Sequence, residues 1–243
     1  MNNSIMAVEA REAPKRIAEQ LAANAAAVQQ VVQQIRARAP KFVYMVGRGS
    51  SDHAGVFAKY LIEIELGLPV AAAAPSIASV YNKTLQLADA LVLVISQSGR
   101  SPDILAQVEM AKRSGAMVVA LVNDTTSPLA EQAHFVLPLH VGAEKAVAAT
   151  KSYLATLSAI LQLVSVWADN TALQQAVNNL PHYLQSAIDA PQQLNGTALE
   201  KVAHLVVLGR GLGYAISREI ALKLKEVCGI HAEAFSSAEF LHG

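Results

Sequence analysis

Residues 91–101 read LVLVISQSGRS, and the change of character inside that stretch decides the fold. An uncharged, β-branched run reads as a strand buried on both faces. The residues that follow, SPDILAQVEMAKR at 101–113, carry apolar side chains at helical spacing behind a Ser-Pro start. The polar loop therefore joins the carboxyl end of a strand to the amino end of a helix. In open parallel α/β sheets ligands sit at such ends, because free backbone N–H groups and the positive end of the helix dipole point into the crevice. Hydroxyls, an amide, a glycine and one arginine point to a small anion as the occupant.

Further out the pattern repeats. Strand-like KFVYMVG (41–47), PVAAAA (69–74), MVVALVN (117–123) and HFVLPL (134–139) alternate with helical stretches opening near Ser51, Ser76, Ser101 and Thr126. Such alternation predicts an α/β fold, a doubly wound parallel sheet of the flavodoxin-like or Rossmann-like kind. Residues 1–40 read as an Ala/Gln-rich helical segment, 41–168 as the first α/β domain and 169–200 as a polar helical connector. A second domain starts at 201, where HLVVLGRGLGYAISREIALKLKE repeats the strand, the Gly-Arg-Gly and the Glu-terminated helix of FVYMVGRGSSDHAGVFAKYLIE. The chain reads as internally duplicated, its second copy incomplete at Gly243, which would leave apolar surface and a strand edge uncovered.

The 243 residues include 19 Lys and Arg against 19 Asp and Glu, with no basic run. No nucleic acid or anionic membrane is expected as a partner, so an anion must be recognised locally. Cys228 is the only cysteine, which excludes an intramolecular disulfide and a multi-thiolate metal site, suits a reducing cytoplasm, and reads as a small core residue. No signal-peptide core opens the chain. SYLATLSAILQLVSVWA at 152–168 is uncharged and nearly long enough to span a bilayer; its Ser, Thr and Gln predict a buried helix instead.

A dinucleotide fingerprint would need glycine at 52, where Asp52 stands, and PVAAAA ends without the acid that binds a ribose hydroxyl, so no nicotinamide cofactor is expected. Ser50 and Ser51 could simply cap a helix. A second polar shelf of Ser96, Gln97, Ser98 and Ser101 offers four side chains where capping needs one, and two shelves at one sheet edge suggest a phosphate held by neutral donors. Glu219, Lys223 and Glu226 fall at i, i+4 and i+7, an ionic row on one helical face that is either an exposed salt-bridged stripe or a carboxylate tuned for general-base work.

The motifs GRGSSDHAG, SQSGRSPD, AATK, ALKLKE, IHAEAF and EFLHG, in that order and over essentially the whole chain, resemble the sugar isomerase (SIS) domain family. This family of phosphosugar enzymes includes the isomerase half of glucosamine-6-phosphate synthase. EKAVAATKSYLATLSA with EVCGIHAEAFSSAEFLHG is most similar to glucosamine-6-phosphate deaminases of the isomerase-domain type. The resemblance implies a homodimer that needs no cofactor or metal and converts glucosamine 6-phosphate to fructose 6-phosphate and ammonia. It implies phosphate contacts from Ser51, Ser96, Gln97, Ser98 and Ser101, with Ser50 beside them, and sugar contacts at Val147 and Ala149. It makes Glu226 the base that moves a proton between carbons 1 and 2, with Lys223 next to it, and His242 the ring-opening group, contributed by a neighbouring subunit. Ala149 departs from the synthase pattern, which has serine there, and the family's closing C-terminal lysine has no counterpart before Gly243.

Plain aldose–ketose isomerisation shares the same enolisation and stays open. An amidotransferase synthase would need a glutaminase nucleophile, and no cysteine precedes Cys228. A phosphosugar sensor coupled to DNA would need a basic helix-turn-helix, for which the first 40 residues are too short and too nearly neutral.

Overall fold

The computed structural model describes residues 4–191 and 196–242. Helix α1 (Ile5–Arg38) is capped by the Ser4 hydroxyl, which accepts from the Ala7 N–H, and ends where Ala39 turns left-handed. Its buried Ala13, Ile17, Leu21, Val28, Val31, Val32 and Ile35 recur at helical spacing. They pack against α6 (Lys151–Trp167). That helix contains the long uncharged stretch and lies in the core, as its sequence predicts; among the described residues no helix is long and apolar enough to cross a membrane.

These two helices and α2 (Ser50–Leu66) cover one face of a five-stranded parallel sheet of β1 (Phe42–Val46), β2 (Val70–Ala72), β3 (Ala90–Ser96), β4 (Met117–Val122) and β5 (Phe135–Pro138). The spatial order is β2-β1-β3-β4-β5. All seven residues of β3 and all six of β4 are buried, as expected of central strands covered on both faces. The order reverses direction between β1 and β3, so the loops leaving their carboxyl ends diverge and open the crevice where this class of sheet binds ligands.

Two crossover helices are shorter than the pattern predicts. The stretch opening at Ser76 forms a single turn, α3 (Ser76–Ser79), and an exposed loop continues to β3. The one near Thr126 is α5 (Pro128–Gln132), capped by Ser127 rather than Thr126. Ser127 accepts from the Ala130 N–H and Pro128 fills the first helical position, a pairing suited to a helix start. By contrast α2 (Ser50–Leu66) and α4 (Pro102–Arg113) are full-length. The connector forms α7 (Thr171–Asn178) and α8 (Leu180–Asp189), and part of it, residues 192–195, lies outside the described residues.

After 200 the chain builds β6 (His204–Gly209), α9 (Leu212–Cys228), β7 (His231–Ser236) and α10 (Ser237–His242). β6 and β7 pair in parallel as a separate two-stranded sheet. The duplication is geometric as well as sequential. α2 and α9 each have 17 residues, and their N-cap glycines share a backbone almost closed to other residues, Gly49 at φ 56°, ψ −130° and Gly211 at φ 57°, ψ −132°. The two helices pack against each other and form the seam between the units. On the small sheet Val206, Leu208 and Phe235 are 45%, 49% and 41% exposed. Cys228 does not lie in a core; it ends α9 and is exposed, because the second unit, as described, has little to bury it against.

Candidate functional site

The first shelf is the loop from β3 to α4. Ser96 is buried, and its Oγ accepts from the Gly99 N–H at 3.0 Å, so its oxygen shapes the loop. Gly99 itself has φ +65°, and a Cβ there would stand 2.2 Å from Ser127 Oγ, which restricts this turn to glycine. The carbonyls of Gln97 and Gly99 accept from Asn123 and Leu129 N–H. Among the described residues the N–H groups of Ser98, Arg100 and Ser101 have no acceptor. Ser101 occupies the N-cap of α4 without making the side-chain cap bond. Gln97 and Ser98 are exposed. Uncommitted N–H groups, uncommitted hydroxyls and a helix start in one loop suit an anion.

The second shelf is the loop from β1 to α2. Arg48 on it reaches Asp103 in the first turn of α4 at 3.0 Å, which ties the two shelves together. The Ser51 N–H is already donated to Arg48 O, so Ser51 offers a hydroxyl and no backbone donor. Ser50 turns toward the seam, where its Oγ donates to Glu219 Oε1 at 2.9 Å and receives Lys223 Nζ at 3.5 Å.

The ionic row on α9 is neither wholly exposed nor wholly dry. Glu219, Lys223 and Glu226 have side chains 8%, 17% and 38% exposed, so the row runs from the seam out to solvent. Lys223 Nζ lies 3.2 Å from Glu219 Oε1 and 2.7 Å from Glu226 Oε2. His53 Nδ1 meets Glu219 Oε2 at 2.8 Å. Burial pushes the Glu219 carboxyl up, but the bonds from His53, Lys223 and Ser50 outweigh it and hold the group below its ordinary range, so Glu219 is a buried anion. Sequence reasoning placed Glu219 in the row without a role and passed over His53. Only the packing of α2 on α9 shows why both matter.

Ala149 lies at the start of α6 in an open cleft of about 390 Å³ that it shares with Tyr153, Ile220, Lys223 and Glu219. The cleft walls are mostly apolar and the two charged residues stand at one side. Val147 is fully exposed at 101%, away from this cleft. The loop that carries both is fixed by carboxylates, of which Glu9 is buried. Glu9 accepts from the Lys145 and Ala146 N–H groups, Glu144 accepts from Thr150 and Ser152, and the buried Lys151 ammonium pairs with Glu12 at 2.8 Å. His242 on α10 is exposed and makes no hydrogen bond or ion pair among the described residues; α10 packs on β6 and β7. The chain thus gathers Ser50, Lys223 and Glu226 at the seam and leaves His242 apart from them. Among the described residues no cluster of His, Cys, Asp or Glu could hold a metal ion.

Comparisons with known proteins bear on the family and the fold. The chain is 36% identical over 220 residues to the glutamine–fructose-6-phosphate aminotransferase (isomerizing) of Symbiobacterium thermophilum, covering 85% of this chain and 36% of that one. It therefore spans about a third of that relative's length. Among solved structures, a chain from Silicibacter pomeroyi provisionally described as a phosphosugar isomerase superposes with TM-score 0.94 at 44% identity, over 99% of this chain and 73% of that chain. The C-terminal domain of glucosamine-fructose-6-phosphate aminotransferase from Francisella tularensis gives TM-score 0.85 at 25% identity, over 100% of this chain and 72% of that one. The SIS domain family model matches residues 38–166, more than half of the sequence and all of the five-stranded sheet, so the chain belongs to the SIS domain family.

Proposed function

We propose that this chain carries a phosphosugar isomerase site that acts on glucosamine 6-phosphate and releases fructose 6-phosphate and ammonia. The observation that carries the reading is the contact of the phosphate-type loops with an ionic pair able to move protons: Ser50, next to Ser51, touches Lys223, and Lys223 holds Glu226 at 2.7 Å. A sugar phosphate bound by Ser51, Ser98 and Ser101 extends its carbon chain toward α9. His242 of a second copy opens the ring. Glu226 takes the proton from carbon 2 of the open-chain aldehyde and returns it at carbon 1, giving the imine at carbon 2. Water then adds to that imine, and ammonia leaves. The partly exposed Glu226 carboxylate can reach substrate, and the adjacent ammonium stabilises charge as it develops on oxygen 1.

A second reading, isomerisation of a sugar bearing oxygen at carbon 2, uses the same residues up to the last step. Ala149 favours the two equally, since it adds no polar contact that would select one substituent. Incubating the protein with glucosamine 6-phosphate and measuring both ammonia and fructose 6-phosphate decides between them. Equal molar release of both supports deamination. Conversion of glucose 6-phosphate or another ketose–aldose pair, with no ammonia from the aminosugar, supports the second reading.

A further inference from the structure

Glu219 is the most buried member of the ionic row, and the scheme above gives it no work. Ala54, Phe57, Ala58 and Leu61 of α2 share an apolar core with Ala215 and Ile216 of α9, and Arg218 pairs with Asp52 across the same two helices at 3.2 Å. A charge in such a place is costly unless it is fully paired, and a hydrophobic residue there would serve packing as well or better. Glu219 instead collects three donors that come from both units. Ser50 and His53 reach it from α2 at 2.9 and 2.8 Å, and Lys223 reaches it from one turn along α9 at 3.2 Å. An ionised carboxylate only accepts, so His53 Nδ1 carries the proton. Lys223 thereby sits between two carboxylates, one buried and fixed, the other partly exposed.

We propose that Glu219, held by His53, is the positioning residue of this site: it fixes the Lys223 ammonium and the Ser50 hydroxyl against each other. The phosphate-holding loop of one unit and the proton-moving helix of the other then keep a single register. The proposal rests on the phosphosugar reading for its catalytic consequence, while the hold on Lys223 is a property of the seam alone. Without Glu219 the ammonium has only the more exposed Glu226 as a carboxylate partner and follows it into solvent. Misplacement of reacting groups by about 1 Å costs on the order of a hundredfold in rate.

The test compares Glu219→Gln with the wild-type chain in two ways. Exchange of the carbon 2 hydrogen with solvent deuterium falls about 10- to 100-fold, while affinity for glucitol 6-phosphate, measured by titration calorimetry, changes less than about threefold. In a Lys223→Met background the same substitution costs less than about twofold further, because a residue that acts through Lys223 then has nothing to position. A merely structural Glu219 gives the same loss in both backgrounds, and that additivity overturns the proposal. Trace acetylation with acetic anhydride, read by mass spectrometry, reports the hold on Lys223 without turnover, and its reactivity rises about tenfold or more in Glu219→Gln. Should Glu219→Gln fold poorly, His53 reads the same link: His53→Ala loses exchange, and His53→Asn, which keeps an N–H near Nδ1, restores most of it. Unchanged Lys223 reactivity together with intact exchange overturns the proposal. Raised reactivity in a protein whose wild type exchanges no phosphosugar overturns the function and leaves the hold on Lys223 standing.

Discussion

With Ser51, phosphate binding in this account rests on Ser98 and Ser101, whose hydroxyls have no other partner among the described residues, while Ser96 Oγ also accepts from Gly99 and Ser50 gives its proton to Glu219. Replacing Ser98 or Ser101 with alanine removes one donor to a dianion and should weaken binding of a sugar phosphate by about 1.5–3 kcal/mol. Ser98 is exposed, so the thermal midpoint of Ser98→Ala should stay at the wild-type value. Calorimetric titration and a thermal melt on the same sample check both halves. Ser96→Ala is a different experiment, because it strands the Gly99 N–H in a buried turn. The expectation of an anion in the polar loop came from its side chains alone. The division of labour inside it was not legible, since two hydroxyls with the same chemistry are separated only by which backbone groups the fold brings to them. His53 and Glu219 were illegible as a pair for a related reason: 166 positions separate them, and no local pattern records a contact across a seam.

The central strands and the long helices α1, α2, α4, α6 and α9 followed from periodicity, because burial on both faces or on one stripe leaves a strong signal in sequence. Where an element is short the signal failed: α3 and α5 are a turn or little more, and hydrogen bonding to neighbours, rather than intrinsic pattern, sets their ends. The edge between β4 and β5 carries a pH dependence of the same local kind. His134 Nδ1 accepts the Val118 N–H at 2.9 Å. Burial, with Lys112 and Arg38 nearby, lowers its pKa below the ordinary 6.5. The unfolded chain therefore binds this proton more readily than the folded one. The contribution to stability is complete above pH of about 6.5 and is lost as the pH falls toward the lower folded value. Urea unfolding midpoints at pH 7.5 and 5.5 should show a drop in the wild type that shrinks in His134→Asn, whose side-chain oxygen still accepts from Val118 without titrating. Equal drops in both proteins would assign the effect elsewhere.

At the scale of the whole molecule the duplication is the organising fact: two β-turn-α units, matched down to their N-cap glycines, pack helix to helix and place Ser50 of one beside the ionic row of the other. Repetition of Gly-Arg-Gly made this readable in sequence, whereas the seam itself is a product of packing. His242 stands apart from the seam, which accords with the proposal that it serves a second copy. If so, Glu226→Gln and His242→Asn, each inactive alone, should recover activity through hybrid sites when their subunits are mixed and allowed to exchange; no recovery in exchanging subunits would place each site within one chain. The central claim is that Glu226 carries the proton between carbons 2 and 1, and isotope transfer reads that step without reference to product release. In deuterated solvent the wild-type chain should place deuterium at carbon 1 of fructose 6-phosphate formed from glucosamine 6-phosphate. Glu226→Gln should lose this incorporation by about a hundred- to ten-thousand-fold while still binding glucitol 6-phosphate. Incorporation at the wild-type rate in Glu226→Gln would contradict the account and give the base to another residue.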